Sequence, residues 1–405
     1  MKKFFALLMA CLMVVSMLAA CGGDKAPATD APNNDAAAEA PATNAAENDA
    51  PATGTIKIGS SGPLTNDYAV YGKAVEYGLK LAFEEINTLG GLQFEVRVED
   101  DEADSEMAVN AYNTLMDWGM QIMAGPTTSG SAAAAAAECA ADGVFMLTPS
   151  ASDASVIAVG DNVFQICFTD PNQGIGSADF ISGHNLATKV GVIYDSSNPY
   201  SVGIYTKFME QAAAVGMEVV AEEAFTADNK ADLSTQVTKC QAAGADLIFL
   251  PIYAAEAAQV LTCADKIDYK PAFFGCDGLD GILSTEGFDP ALAEGVMLLT
   301  PFDASSSDEK VQAFVKNYTE KFGIAPNQFA ADAYDVAYAI FEACTAAGVT
   351  ADMSAEEICE QMLAQFTSMS FDGLTGAGMT WGADGAVSKL PMAVKIENGV
   401  YVGVE

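Results

Sequence analysis

The sequence predicts two doubly wound α/β lobes, each a parallel sheet with helices on both faces. Two observations support this. From Thr55 onward, short runs of β-type residues alternate with segments of helical period. Alternating units of this size require parallel strands joined by crossover helices. About 350 residues follow Gly54, too many for one sheet of ordinary size and enough for two cores.

The elements follow in order. Thr55 to Gly59 is the first strand, and a helical pattern runs from about Tyr68 to Leu89, with Leu79, Phe83 and Ile86 on one face and Gly90-Gly91 ending it. Phe94 to Val98 is the next strand, followed by a helix near Glu106 to Trp118, a strand at Gln121 to Ala124, a helix from Ser131 to Ala141 and a strand at Val144 to Leu147. Further strands are expected at Lys189 to Tyr194, Met217 to Ala221, Asp246 to Leu250 and Ala272 to Gly275, with helices between them.

The residues before Thr55 read differently. Lys2 and Lys3 precede an apolar run from Phe4 to Met17 and then Leu18-Ala19-Ala20-Cys21, the order of a secretory signal peptide. The apolar run is shorter than the roughly 20 residues of a membrane span. Leu-Ala-Ala-Cys is similar to the bacterial lipobox, so residues 1–20 are expected to be removed and Cys21 to carry a lipid; a plain cleaved signal with an incidental cysteine is the other reading. Residues 21–54 hold no aromatic or branched aliphatic side chain and are expected to form a disordered spacer. The expected location is the extracytoplasmic face of the cell membrane, on the periplasmic side where an outer membrane exists.

The formal net charge of -37 makes nucleic acid and anionic lipid poor partners. Nine cysteines are present, and without Cys11 and Cys21 an odd number remains, widely spaced and without a Cys-x-x-Cys pair, which is not a disulfide framework. A single histidine, His184, no Cys/His/Asp cluster of metal spacing and no Gly-x-Ser-x-Gly elbow argue against an enzyme. No cofactor or metal is expected.

In doubly wound sheets ligands bind beyond the carboxyl ends of strands, so the loops there carry the functional reading. Gly125-Pro126-Thr127-Thr128-Ser129-Gly130-Ser131 has the glycine spacing of a phosphate loop, but Ser131 stands where the lysine belongs. Its hydroxyls either cap the following helix or, with the helix N-terminus, hold an anion of modest charge such as a ligand carboxylate. Thr148-Pro149-Ser150-Ala151-Ser152-Asp153 is a second hydroxyl-rich turn beside it. Tyr200, Tyr253 and Asp277 follow strands of the other lobe. Together they suit a zwitterion, although each alone is an ordinary loop residue.

From Ile56 to Val404 the chain resembles the type I periplasmic binding proteins, specifically the leucine/isoleucine/valine-binding proteins of ABC transporters. The resemblance rests on Ile56-Lys57-Ile58-Gly59 with Gly62-Pro63-Leu64, Tyr71-Gly72, Glu84-Glu85-Ile86-Asn87, Glu99-Asp100-Asp101, Gly125-Pro126, Thr148-Pro149-Ser150-Ala151, Gln173-Gly174 and Ala333-Tyr334-Asp335. It implies a carboxylate-binding hydroxyl at Ser129, a second hydroxyl and a backbone carbonyl at Ser152 and Ser150, and an amine-binding acid at Asp277, where the family has the longer Glu. It implies aromatic closure by Tyr71, Tyr200, Tyr253 and Tyr334. The cysteines of the family's first-lobe disulfide, near Ala103 and Thr128, are absent. The implied lobes are residues 55–170 plus 301–380 and residues 171–300 plus 381–405, closing about a hinge. The implied function is capture of an amino acid, branched-chain first, by a monomer that delivers it to a membrane permease. Aromatic or γ-amino acids, amides, urea-like solutes and ligand sensing through a partner receptor stay open as alternatives.

Overall fold

The chain builds two sheets whose carboxyl edges face each other. The computed structural model describes residues 54–404; the expected signal peptide, Cys21 and all but the last residue of the spacer lie outside them.

The first sheet arises from β1 (Thr55–Gly62), α1 (Ala69–Thr88), β2 (Gln93–Asp100), α2 (Ser105–Trp118), β3 (Ile122–Met123), α3 (Ser129–Asp142), β4 (Phe145–Thr148), α4 (Ala154–Ile157) and β5 (Val163–Gln165). Its strands are all parallel, in the order β2-β1-β3-β4-β5. β3 is short, yet the ladder continues on either side, with Gln121 N donating to Lys57 O at 2.9 Å and Ala124 N to Gly59 O at 2.7 Å. The helix starts are set locally. Asp104 accepts from the amides of Glu106 and Met107, and Asp153 accepts from Ser155 N.

The second sheet arises from α5 (Asp170–Gly183), β6 (Val190–Asp195), α6 (Pro199–Ala214), β7 (Val219–Phe225), α7 (Ser234–Ala243), β8 (Leu247–Leu250), α8 (Ala254–Lys266), β9 (Ala272–Gly275) and β10 (Met297–Thr300). Between β9 and β10 lie three short 3-10 turns, the first at Asp277–Leu279. The chain then returns to the first sheet with α9 (Glu309–Phe322), α10 (Gln328–Ala347) and α11 (Ala355–Phe366). Phe366 of α11 packs 4.8 Å from Phe145 and 5.5 Å from Phe164. β11 (Met392–Glu397) and β12 (Val400–Val404) finally rejoin the second sheet, giving the order β12-β11-β10-β9-β8-β6-β7.

The second sheet is therefore not wholly parallel, as β10/β11 and β11/β12 pair antiparallel. For β11/β12 the reason is a two-residue hairpin, Asn398-Gly399, with φ of 53° and 75°. Asn-Gly adopts the left-handed pair that such a turn demands. β7 also runs from Val219 to Phe225, longer and later than the expected Met217 to Ala221, because it pairs along the whole of β6 through Asp195↔Phe225.

Helix α1 packs on α10 at unusually close range. A Cβ at Gly78 would stand 2.3 Å from the Ala330 carbonyl oxygen, so the backbone contact exists only because that residue is glycine. The same helix buries Val75, Leu79, Ala82 and Ile86, none exposed to any measurable extent, in the core it shares with α10. Both sheets change winding direction beside their first strand, between β1 and β3 and between β6 and β8. Such switch points open a crevice at the carboxyl ends of the strands, and the two crevices face one another.

Candidate functional site

Between the two carboxyl edges lies a small closed cavity. Thr127, Thr128, Ser129 and Ser150 line it from the loops after β3 and β4; Tyr200, Tyr253, Asp277 and Gly278 line it from the second sheet; Tyr71 of α1 and Phe329 of α10 complete the wall. Its free volume is about 10 Å³, the space of a single water. Any solute of amino-acid size therefore requires the halves to part.

On the first side the hydroxyls serve the chain only in part. Thr128 is the N-cap of α3, but its side chain makes no capping bond, and its Oγ1 is buried without a partner. Capping thus fails to explain this hydroxyl. Ser129 Oγ accepts Asp153 N at 3.2 Å, and Ser150 Oγ donates to Thr127 O at 2.7 Å, drawing the two hydroxyl loops together. The α3 N-terminus directs its unpaired amides and positive dipole end toward the same place.

On the second side Asp277 is 2 % exposed. Its Oδ1 accepts the Tyr200 hydroxyl at 2.7 Å, and its amide donates to Gln173 Oε1 at 3.1 Å. Burial pushes its carboxyl up to about 7, with hydrogen bonds from Tyr200 and Gln173 opposing. A cation arriving here would restore the carboxylate. Aromatic rings close the remainder: Tyr200 stacks on Tyr253 at 4.9 Å, Tyr71 lies 5.3 Å from Tyr253, and Phe329 lies 4.7 Å from Tyr71.

The structure brings together Tyr71, Ser129, Ser150, Tyr200, Tyr253 and Asp277 of the residues expected from sequence. Ser152 is fully buried but does not line the cavity; its backbone carbonyl accepts Asp170 N at 3.0 Å, behind the wall. Tyr334 requires a correction. Its hydroxyl donates to Glu85 Oε2 at 2.5 Å, and its ring packs 4.9 Å from Phe314. The aromatic that closes the cavity from α10 is Phe329, five residues earlier and therefore on a different face of the helix. Asp170 was also not singled out by sequence. It is fully buried with both carboxylate oxygens unpartnered, and burial, followed by the nearby Asp277, drives its pKa well up. Its only local signal was its place in the first turn of α5.

The seven described cysteines are all free. Among the described residues there is no group of three or more side chains able to hold a metal ion, and no helix long and apolar enough to cross a membrane.

Known proteins agree with this architecture. A family model described as periplasmic binding protein matches residues 55–399. Over 310 residues, 74 % of this chain and 81 % of the relative, the sequence is 29 % identical to the Leu/Ile/Val-binding protein homolog 3 of Brucella melitensis. Over 317 residues, 77 % of this chain and 83 % of the relative, it is 27 % identical to the leucine-, isoleucine-, valine-, threonine-, and alanine-binding protein of Pseudomonas aeruginosa. The crystal structure of a branched-chain amino acid transporter substrate binding protein from Streptococcus pneumoniae in complex with isoleucine superposes with a TM-score of 0.77 at 28 % identity, covering 86 % of this chain and 100 % of that one. A solute binding protein of an ABC transporter from R. palustris in complex with benzoate shares the fold, with a TM-score of 0.76 at 20 % identity over 87 % of this chain and 96 % of that one. Its family is one of extracytoplasmic solute-binding proteins, and the chain is a type I periplasmic binding protein.

Proposed function

We propose that this protein captures an amino acid, branched-chain first, between its two lobes and passes it to an ABC permease, held near the membrane by a lipid on Cys21. The observation that carries the reading is the cavity that sets the hydroxyls of Thr128, Ser129 and Ser150 opposite Asp277. The ligand carboxylate sits on the hydroxyls and the amides at the start of α3, the ammonium pairs with Asp277, and the tyrosines and Phe329 enclose the side chain. The names of the Brucella and Pseudomonas relatives and the isoleucine complex from Streptococcus favour leucine, isoleucine and valine. An aromatic carboxylate without an amine would leave Asp277 buried and unpaired, which disfavours it here. The moving bodies are residues 55–170 with 301–380 and residues 171–300 with 381–405. A ligand touching both binds a form in which both lobes reach it, less tightly shut than the one described, better than a fully open form and draws the equilibrium toward it.

Thermal unfolding of the purified protein with each amino acid tests the reading. Leucine, isoleucine or valine raises the melting temperature by mass action, equivalent to about 2.7 kcal/mol at a hundred times the dissociation constant. No shift with any proteinogenic amino acid at millimolar concentration overturns it. Ser129→Ala and Asp277→Ala each abolish the shift; if both variants bind like the parent, the site is wrong even where the function stands.

A further inference from the structure

Tyr68 stands at the N-cap of α1, beside the first sheet, and reaches across to the second half of the fold. Its hydroxyl donates to Glu256 Oε1 at 2.6 Å and accepts the Lys230 ammonium at 2.5 Å. Glu256 lies in the first turn of α8, and Lys230 lies in the segment between β7 and α7. Lys230 and Glu256 also pair with each other at 3.1 Å, and Lys230 Nζ stands 4.4 Å from the centre of the Tyr68 ring. Burial, followed by the charge of Glu256, raises the Tyr68 hydroxyl above its ordinary range, so it keeps the proton that it donates. None of the three residues lines the small cavity, but Tyr68 packs edge-on at 5.3 Å against Tyr253, which does.

Lys230 and Glu256 both belong to the second half, so their ion pair can persist when the sheets part. The Tyr68 bonds cannot, because contacts of 2.5 and 2.6 Å from the first half have no slack. The small cavity has room for about one water, so entry of an amino acid separates the halves and breaks these contacts. The closed form also carries a cost that opening relieves. Glu256 is 3 % exposed, and its Oε2 has no hydrogen-bond partner among the described residues, a deficit that water makes good once the halves part. The contact therefore works against the ligand. A protein held in a form that excludes its ligand binds it more weakly in proportion to the competent fraction.

We propose that Tyr68, Lys230 and Glu256 form an autoinhibitory latch, which holds the ligand-free protein in its tightly closed form and opens before an amino acid enters. Its effect on affinity rests on the amino-acid reading of the first cavity, whereas its effect on closure does not.

Small-angle X-ray scattering of the purified full chain without ligand, together with calorimetric titration with leucine and isoleucine, tests this. Tyr68→Phe keeps the ring against Tyr253 and removes only the hydroxyl; its radius of gyration exceeds that of the parent, and its affinity rises about tenfold. Lys230→Met has the same two effects, and the double variant adds little to either single change, because both break one contact. Tyr205→Phe is the control: its hydroxyl donates to Glu222 Oε2 at 2.7 Å within the second half, and the change alters neither radius nor affinity. The latch is overturned by an unchanged radius in Tyr68→Phe and Lys230→Met, by a fall in affinity, which would make Tyr68 part of the ligand-bound form, or by additive effects in the double variant. If the parent binds no amino acid, the amino-acid reading fails alone and the radii still decide the latch.

Discussion

Tyr71 joins the two halves of the fold through one hydroxyl: it donates to the Gly278 carbonyl at 2.6 Å and accepts the Ala254 amide at 2.7 Å. Tyr71 belongs to α1 beside the first sheet, whereas its partners follow β9 and β8 of the second. In the open form water can satisfy all three groups; in the closed form only this hydroxyl does. Tyr71→Phe therefore penalises closure by about 1–3 kcal/mol for each buried group left unpaired. Because this closed form has no room for an amino acid, ligand affinity should not fall, and X-ray scattering should show a larger radius of gyration for the ligand-free variant than for the parent. An equal radius, or a loss of ligand affinity, would show that the bridge does not act by holding this closed form.

The pH dependence of binding and that of stability should run in opposite directions. Asp277 has its carboxyl raised to about 7 by burial. A raised acid contributes stability that is full below its ordinary value near 3.8 and is lost as pH rises through about 7. Ligand-free protein should therefore lose melting temperature across that window, and Asp277→Asn should flatten the slope. Asp280, Asp332 and Asp101, each raised to about 6 mainly by burial, keep part of the slope in the variant. Amino-acid affinity needs the carboxylate and should instead rise with pH and level off above about 7. A pH-independent affinity would exclude Asp277 as the amine partner.

Lys389 is buried at 1 % side-chain exposure with its ammonium 2.7 Å from Asp332 Oδ1 and 2.5 Å from Thr375 Oγ1. Asp335 lies in the same network, accepting the amides of Leu374 and Thr375. Lys389→Met strips the cation from these acids and should cost roughly 3–5 kcal/mol in denaturant unfolding. Pairing it with Asp332→Asn should recover part of the loss, because the uncompensated charge is then gone. A double variant no more stable than the single one would assign the loss to packing.

Gly78→Ala should destabilise by about 1–3 kcal/mol, since its Cβ meets the Ala330 carbonyl at 2.3 Å and the helices must separate. Gly183→Ala is the control: no atom stands within 4 Å of its Cβ, and the change should be neutral or mildly stabilising. Similar unfolding midpoints for the two variants would contradict the close α1–α10 contact.

Strand and helix alternation was legible because burial imposes its own period on each element. The strand expected at Val144 to Leu147, for instance, is the fully buried β4 at Phe145–Thr148, one residue later. The Asn398-Gly399 hairpin carried a strong local signal but was not read, and with it the antiparallel edge of the second sheet was missed. Of the site, Thr128, Ser129, Ser150, Tyr200, Tyr253 and Asp277 were legible because each sits just beyond a strand end. Phe329 and Gly278 were not, and Tyr334 was misplaced, because resemblance places a residue in order along the chain and not on a face of a helix.

The sequence by itself determined the two doubly wound sheets and the placing of hydroxyls opposite an acid, since strand period and post-strand position are local properties. Tertiary structure alone decided that Thr128 Oγ1 has no capping partner, that Phe329 closes the cavity and that burial raises the Asp277 carboxyl to about 7. The physical reason is common to all three: desolvation and contact depend on what the other sheet brings to the same few ångströms, and no stretch of chain carries that information alone.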